Sequence, residues 1–405
     1  MRWRKRSCAE ISECRLQKRI ADICFDSDGA DLRKDCGWKY AAEEDSFGRS
    51  VFQTRSNEQS KKKRGKIMNY QDVMNEAKTC MGAYCKVCPV CNGRACKNQM
   101  PGPGAKGVGD TAIRNYEKWQ EIRVNMDTIC ENKPVDTSLE LFGKTFRFPF
   151  FAGPVGAVQL HYGKKYDDMT YNEVLVRACS EAGIAAFTGD GTNPAVMEGA
   201  AKAIAKAGGA GIPTVKPWNI ETIREKMALC KEAGSFAVAM DIDAAGLPFL
   251  KNLTPPAGSK TVEELWEIAQ MAGVPFIVKG VMTVRGALKA KEAGASAIVV
   301  SNHGGRVLDQ CPATAEVLMD IVDALDGSGV KVLVDGGIRS GVDVFKALAM
   351  GADAVGIARP FVTAVYGGGE EGVKLYIEKI GAELADTMAM CGVHDVKSIT
   401  REMIY

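Results

Sequence analysis

From about Phe148 onward, short β-rich apolar runs alternate with amphipathic stretches rich in Ala and Lys, and the pair recurs eight times. The candidate strands are 148–154, 184–188, 212–216, 236–242, 276–279, 297–301, 330–334 and 354–357. Between them lie helix patterns such as 284–293, ended by Gly294, and 342–350, ended by Gly351. Both glycines stand where a helix needs a left-handed residue just past its end. Strands that alternate with helices predict a parallel sheet. Eight such units in this length close most economically into a (β/α)8 barrel. A doubly wound open sheet needs a glycine-rich dinucleotide turn between a strand and a helix. The one match, Gly102-Pro103-Gly104-Ala105-Lys106-Gly107, follows Pro101 instead of a strand, so it reads as a loop.

Barrels of this kind place their chemistry at the C-terminal strand ends. The seventh candidate strand runs into Asp335-Gly336-Gly337-Ile338-Arg339-Ser340-Gly341, and the eighth into Ala358-Arg359-Pro360. Paired glycines let backbone N–H groups approach an anion, and a helix start behind them adds positive potential. Arg339 and Arg359 can each grip phosphate oxygens in two hydrogen bonds. The sixth strand ends in Ser301-Asn302-His303-Gly304-Gly305-Arg306. His303 is one of three histidines and is expected to be the sole imidazole at the rim, where it can accept a substrate proton. Arg306 can hold a planar carboxylate. Lys279 ends the fifth strand behind apolar residues, so it needs an anionic partner. Asp241 and Asp243 end the fourth, where a period of two aims both carboxylates one way. One of them can pair with His303. Asp241 suits an inter-strand salt bridge and a cofactor contact equally.

Composition excludes several classes. With 52 basic and 50 acidic side chains, the net charge of +2 gives no global reason to expect nucleic acid as partner. No apolar run reaches the roughly 20 residues of a membrane span. The basic opening Met1-Arg2-Trp3-Arg4-Lys5-Arg6 lacks the apolar core of a secretory signal, so a cytoplasmic chain is expected. Residues 1–67 carry 17 basic and 11 acidic side chains, show little periodicity and end in Lys61-Lys62-Lys63-Arg64. They read as a solvated basic extension ahead of Met68.

Without export, the 14 cysteines are expected as thiols or metal ligands rather than disulfides. Cys80, Cys85, Cys88, Cys91 and Cys96 crowd into seventeen positions. Two linked C-x2-C steps bring three thiolates within reach of one metal or cluster, with Cys80 or Cys96 as a fourth ligand. An iron–sulfur cluster, a structural Zn2+ and metal-free thiols all remain open on spacing alone. The expected organisation is a basic extension (1–67), a Cys-rich helical cap (68–147), the barrel (148–392) and a C-terminal tail (393–405).

Residues 301–306, the continuation Leu308-Asp309 and Pro312-Ala313-Thr314, then 335–341 and Asp343-Val344-Phe345-Lys346, resemble the FMN-dependent α-hydroxy acid oxidase/dehydrogenase family. Val135-Asp136-Thr137-Ser138, followed by Pro149 and Pro154, is similar to that family's entry into its first strand. The resemblance covers roughly 115–392 and is strongest over 276–360. It implies an FMN across the barrel mouth with its phosphate on Gly337, Arg339 and Arg359. Lys279 would face the ring's N1/C2 edge, and Pro154, Val155, Gly156, Ala157 and Thr188 would touch the flavin. Thr214, Asp241, Ser301, Asp335, Gly336, Ile338 and Ala358 complete the implied cofactor contacts. His303 would take the hydroxyl proton as hydride passes to flavin N5, Asp243 would orient the imidazole, and Arg306 would hold the substrate carboxylate.

Four positions depart from the family pattern. Thr214-Val215-Lys216 stands in place of a Gln-x-Tyr, which puts Lys216 where a substrate-touching tyrosine is usual. Leu250, beside Lys251, falls where a second carboxylate-binding arginine is expected. Asp241 replaces a threonine and Ala358 a glycine. The resemblance therefore implies oxidation of a small, lactate-like L-2-hydroxy acid by a homo-oligomer, with electrons passing to O2 or another acceptor. A redox-active cluster at the cysteines would favour the dehydrogenase form. Another FMN-barrel reaction, such as isopentenyl-diphosphate isomerisation or glutamate-synthase-like chemistry, is the alternative, and a base beside a carboxylate clamp argues against it. A metal- or nucleic-acid-binding module would leave the strand-end motifs unexplained.

Overall fold

The computed structural model describes residues 68–247, 250, 252 and 257–405, with the backbones of Ala42–Glu44 and Ser50–Phe52. Those two short strands pair antiparallel. The rest of the basic extension, its Lys61–Arg64 run included, and Lys251 lie outside the described residues. Residues 1–67 and 68–405 form separate units, and the second carries the site.

Eight parallel strands close on themselves in chain order: β1 (Phe150–Ala152), β2 (Ala186–Thr188), β3 (Gly211–Val215), β4 (Val238–Asp241), β5 (Phe276–Val281), β6 (Ala297–Val300), β7 (Lys331–Val334) and β8 (Ala354–Ile357). Val355 of β8 pairs with Phe150 of β1, which completes the ring. The expected (β/α)8 barrel is therefore the fold. Its strands are buried on both faces, one filling the interior and the other covered by helices, so each reads as an apolar run without alternation. Where the sequence runs on into Pro154, β1 stops at Ala152, because proline has no N–H to continue the ladder.

The connections are the helices α3 (Val158–Tyr162), α4 (Asp168–Glu181), α5 (Pro194–Lys206), α6 (Ile220–Glu232), α7 (Val262–Ala272), α8 (Val284–Glu292), α9 (Thr314–Leu325), α10 (Gly341–Ala349) and α11 (Arg359–Met390). They follow α1 (Tyr70–Cys80) and α2 (Asp110–Glu121) of the N-terminal segment. Gly294 and Gly351 take φ of +76° and +101°, as their places past α8 and α10 require. No described helix is long and apolar enough to cross a membrane.

The N-terminal segment is built into the barrel. Helix α2 lies over the loops after β6 and β7: Asn115 and Asn302 exchange side-chain hydrogen bonds of 2.7 and 3.0 Å, and the Trp119 indole N–H donates to the Gly336 carbonyl at 2.8 Å. Trp119 is fully buried. Helix α1 lies against α11 so closely that a Cβ on Gly367 would come 2.0 Å from the Val73 carbonyl oxygen. The C-terminal residues are tied down in the same way, with Arg123 and Tyr405 exchanging backbone hydrogen bonds of 2.8 Å.

Candidate active site

The loop after β6 sets the geometry. His303 adopts φ +54°, the left-handed region that costs a residue with a Cβ, and Gly304 and Gly305 follow at +61° and +78°. The fold holds the imidazole there by two contacts. Its backbone N–H donates to the Ser301 hydroxyl at 3.2 Å, and its Nδ1 lies 3.2 Å from Oδ1 of Asp243. Strand β4 ends at Asp241 and the chain turns into a 3-10 segment over Ile242–Gly246. Asp243 therefore sits in that turn and not on a strand, so the period-two argument fails for it. Even so, single ligand atoms of Asp241, Asp243 and His303 lie within 4.8 Å of one another.

Lysines surround these carboxylates. Lys279 Nζ donates to the Ser301 hydroxyl at 2.9 Å and lies 3.5 Å from Asp335 Oδ2. Burial works against its charge, but Asp335, Asp243 and Asp241 outweigh that and push its pKa up. Lys216 Nζ lies 3.4 Å from Asp241 Oδ2, so Asp241 makes the inter-strand salt bridge. Burial opposes the Asp241 carboxylate as well, yet Lys216, His303 and Lys279 hold its pKa down at about 2. With two lysines interleaved, the three carboxylates form a compensated polar network around the imidazole, not a cation site.

A cavity of about 600 Å3 opens above this network at the C-terminal ends of the strands. Its walls include His303, Arg306, Lys216, Lys279 and Asp335, with Pro154, Val155, Gly156 and Ala157 from β1 and Gly336, Gly337, Arg339, Ala358 and Arg359 from β7 and β8. The structure thus brings most of the expected site residues together. Asp241, Asp243, Ser301, Thr188, Thr214 and Ile338 are not part of that wall. Asp243 and Ser301 act through His303 and Lys279, whereas the Thr188 and Thr214 hydroxyls are buried without a partner. Ile338 is fully buried, and its carbonyl accepts from Arg339 Nη1 at 2.6 Å.

Local hydrogen bonds and packing shape the expected anion site. The start of α10 is already served by acidic side chains: the Arg339 and Ser340 N–H groups donate to Asp343 Oδ2 (2.9 and 3.2 Å), and Gly341 N–H donates to Glu383 Oε2 (2.9 Å). Those three N–H groups therefore already have acceptors within the protein, whereas Arg339, Arg359 and the paired glycines line the cavity. Gly336 and Gly337, with φ of +92° and +84°, also answer to packing, since a Cβ on Gly337 would lie 2.1 Å from the Asn115 carbonyl oxygen.

The second imidazole was not foreseen. His161, at the end of α3, lines the same cavity, so His303 is not the sole imidazole at the rim. Gly102 N–H donates to His161 Nδ1 at 2.8 Å, which places the hydrogen of the neutral ring on Nε2. That Nε2 stands 3.1 Å from Arg306 Nη2, itself a donor. Burial and then the Arg306 charge hold the His161 pKa down at about 4, so the ring is neutral at pH 7. Two donors so close call for a shared acceptor. Meanwhile Arg306 Nη1 donates to the carbonyls of Gly102 (2.7 Å) and Gly104 (2.9 Å), so the guanidinium is anchored by the 102–107 loop. Leu250, in place of the missing arginine, is fully buried and offers no charge.

The cysteines divide. Cys85, Cys88, Cys91 and Cys96 line a second cavity of about 310 Å3, while Cys80 hydrogen-bonds the Tyr366 carbonyl at 3.1 Å and is absent from that lining. Cys80 therefore leaves the candidate ligand set. Burial opposes ionisation of Cys91, but Arg339 and Arg359 outweigh it and lower the thiol's pKa.

A family model described as FMN-dependent dehydrogenase matches residues 103–255 and 249–405. The chain belongs to that family. Among curated relatives, a peroxisomal (S)-2-hydroxyacid oxidase of Arabidopsis thaliana is 47% identical over 145 residues, 36% of this chain and 39% of that protein. An L-lactate oxidase of Lactobacillus jensenii is 46% identical over 133 residues, 33% of this chain and 32% of that protein. Each alignment thus spans well under half of the relative. A solved mandelate oxidase superposes with a TM-score of 0.67 at 26% identity, covering 82% of this chain and 97% of its own. The family's cofactor suits the cavity, because Arg359 Nη1 is buried there without a hydrogen-bond partner and needs an anion.

Proposed function

We propose that this chain oxidises a small, lactate-like L-2-hydroxy acid to the 2-oxo acid on FMN, with O2 or another acceptor taking the electrons. The observation that carries the reading is that His303, paired with Asp243 behind it, lines one cavity with Arg306. Asp243 accepts the proton on Nδ1, which leaves Nε2 of His303 basic, and it favours the charged ring once the substrate hydroxyl has given up its proton. Arg306 Nη2 and His161 Nε2–H supply two donors for the substrate carboxylate. That arrangement replaces the missing second arginine and resolves the donor–donor approach at 3.1 Å. The residues that would hold FMN are Pro154 to Ala157, Lys279, Gly337, Arg339 and Arg359. Bound FMN supplies the two-electron acceptor that no side chain can provide. Lys279, kept charged by Asp335, favours negative charge gathering at the cavity floor.

Anaerobic mixing of the FMN-loaded full chain with L-lactate, glycolate and mandelate tests the reading. The flavin absorbance should bleach with at least one of them. A flavin that stays oxidised with all three would overturn it.

A further inference from the structure

The flavin reading leaves the cysteine segment unused. Between α1 and α2, residues 81–109 hold only one regular element, the 3-10 turn Arg94–Cys96. A run of this length without its own helices or strands is uncommon inside a compact unit, and it needs something to hold it. Its apolar core is small: Met81, Val87 and Ala105 are its only buried hydrophobic side chains. Its backbone is nevertheless bent tightly. Val87 takes φ +46°, a costly conformation for a β-branched residue, and it lies inside the first C-x2-C step. Gly93 turns at +83° between Cys91 and Cys96, and a Cβ on Gly104 would lie 1.8 Å from the Cys96 carbonyl oxygen. The bends leave Cys85, Cys88, Cys91 and Cys96 around one cavity, none of them in a disulfide.

We propose that Cys85, Cys88, Cys91 and Cys96 ligate an iron–sulfur cluster of the four-iron type, seated beside Arg339 and Arg359. The spacing C-x2-C-x2-C-x4-C supplies four thiolates from one loop, as such clusters require. Geometry separates this from zinc. A tetrahedral zinc with sulfur at about 2.3 Å needs its ligands about 3.8 Å apart. Among the described residues, no three cysteine sulfurs lie within 4.8 Å of one another. A polynuclear cluster, whose thiolates bind different irons, does not require three sulfurs that close. Charge fits too. Four thiolates in a cavity are an anionic load, and Arg339 and Arg359 line that cavity as well as the larger one. Arg339 is fixed toward the loop by its Nε, which donates to the Cys91 carbonyl at 2.7 Å.

The test uses the full chain, purified without oxygen and then supplied with ferrous iron and sulfide. Iron, acid-labile sulfide, zinc and FMN are measured on the same sample, and electron paramagnetic resonance is recorded after dithionite reduction. About four iron and four sulfide per chain are expected, with a paramagnetic signal distinct from that of flavin. The double variant Cys88→Ser/Cys91→Ser should lose both iron and sulfide, whereas Cys80→Ser should retain them. Less than one iron per chain, zinc without sulfide, or a double variant that keeps the wild-type iron and sulfide content would overturn the proposal. FMN content reports separately on the larger cavity, so failure here is distinguishable from failure of the flavin reading.

Discussion

Nδ1 of His303 lies 3.2 Å from Oδ1 of Asp243, across the gap between the loop after β6 and the turn after β4. Neither partner sits on a strand. The fold holds them together by keeping His303 at φ +54° and by admitting only glycine at position 280, where a Cβ would come 2.6 Å from the Asp243 carboxyl carbon. The pairing engages Nδ1 and leaves Nε2 without that partner, on a residue that lines the larger cavity.

Replacing His303 by Asn should therefore slow flavin reduction by about 10²–10⁴-fold, the usual worth of a positioned general base. FMN content should not change, since on the proposed reading the arginines and not the imidazole hold the phosphate. Rapid-mixing absorbance on both proteins checks this, and equal rates would remove the role given to His303.

His161 contributes through binding. His161→Leu removes one donor to the substrate carboxylate, so KM should rise roughly ten- to hundredfold, the worth of a hydrogen bond to a charged group, with kcat much less affected. Steady-state kinetics separate the two. The same residue sets a pH signature. Its folded pKa of about 4 lies below the ordinary 6.5, so the unfolded chain binds the proton first as pH falls. Its contribution is complete above pH 6.5 and is lost between 6.5 and 4. Denaturant midpoints should fall across that window in the wild type and fall less in His161→Leu.

The buried pair of Lys216 and Asp241 should behave asymmetrically. Lys216→Met leaves Asp241 buried without its nearest cation, a loss of about 3–5 kcal/mol by urea unfolding at pH 7. The double variant Lys216→Met/Asp241→Leu should recover much of it, because no charge is then stranded. Since the Asp241 pKa is held at about 2, its contribution is present above the ordinary carboxylate value of 3.8 and disappears as pH falls toward 2.

Much of the barrel was legible because strands buried on both faces write continuous apolar runs, and because Gly294 and Gly351 mark helix ends. The His303–Asp243 pair was legible for a different reason: both residues lie just past strand ends, where chemistry concentrates in this fold. His161 was not. It lies in a five-residue helix after β1 with no patterned neighbours, and its role depends on a hydrogen bond from Gly102, fifty-nine positions away. The 102–107 loop was likewise readable as a loop but not as the anchor of Arg306. Spacing grouped Cys80 with the other cysteines, yet its place at the end of α1 turns the thiol to the Tyr366 carbonyl. At the start of α10 the Ser340-x-x-Asp343 capping box was there to be read in the local sequence, whereas the reach of Glu383, forty-two positions from Gly341, was not.

On the proposed reading the two arginines carry the anchoring. Arg359→Ala removes a buried guanidinium whose Nη1 lacks a protein partner, so FMN affinity should fall about ten- to hundredfold. Fluorescence titration of cofactor-stripped protein reads this directly.

That titration, performed on the wild-type full chain, is also the most direct test that the larger cavity, at the C-terminal ends of the strands, is a flavin site. Uptake of one FMN per chain, with quenching that saturates at equivalence, is the expected result. Protein that stays colourless and leaves added FMN free in solution would contradict it.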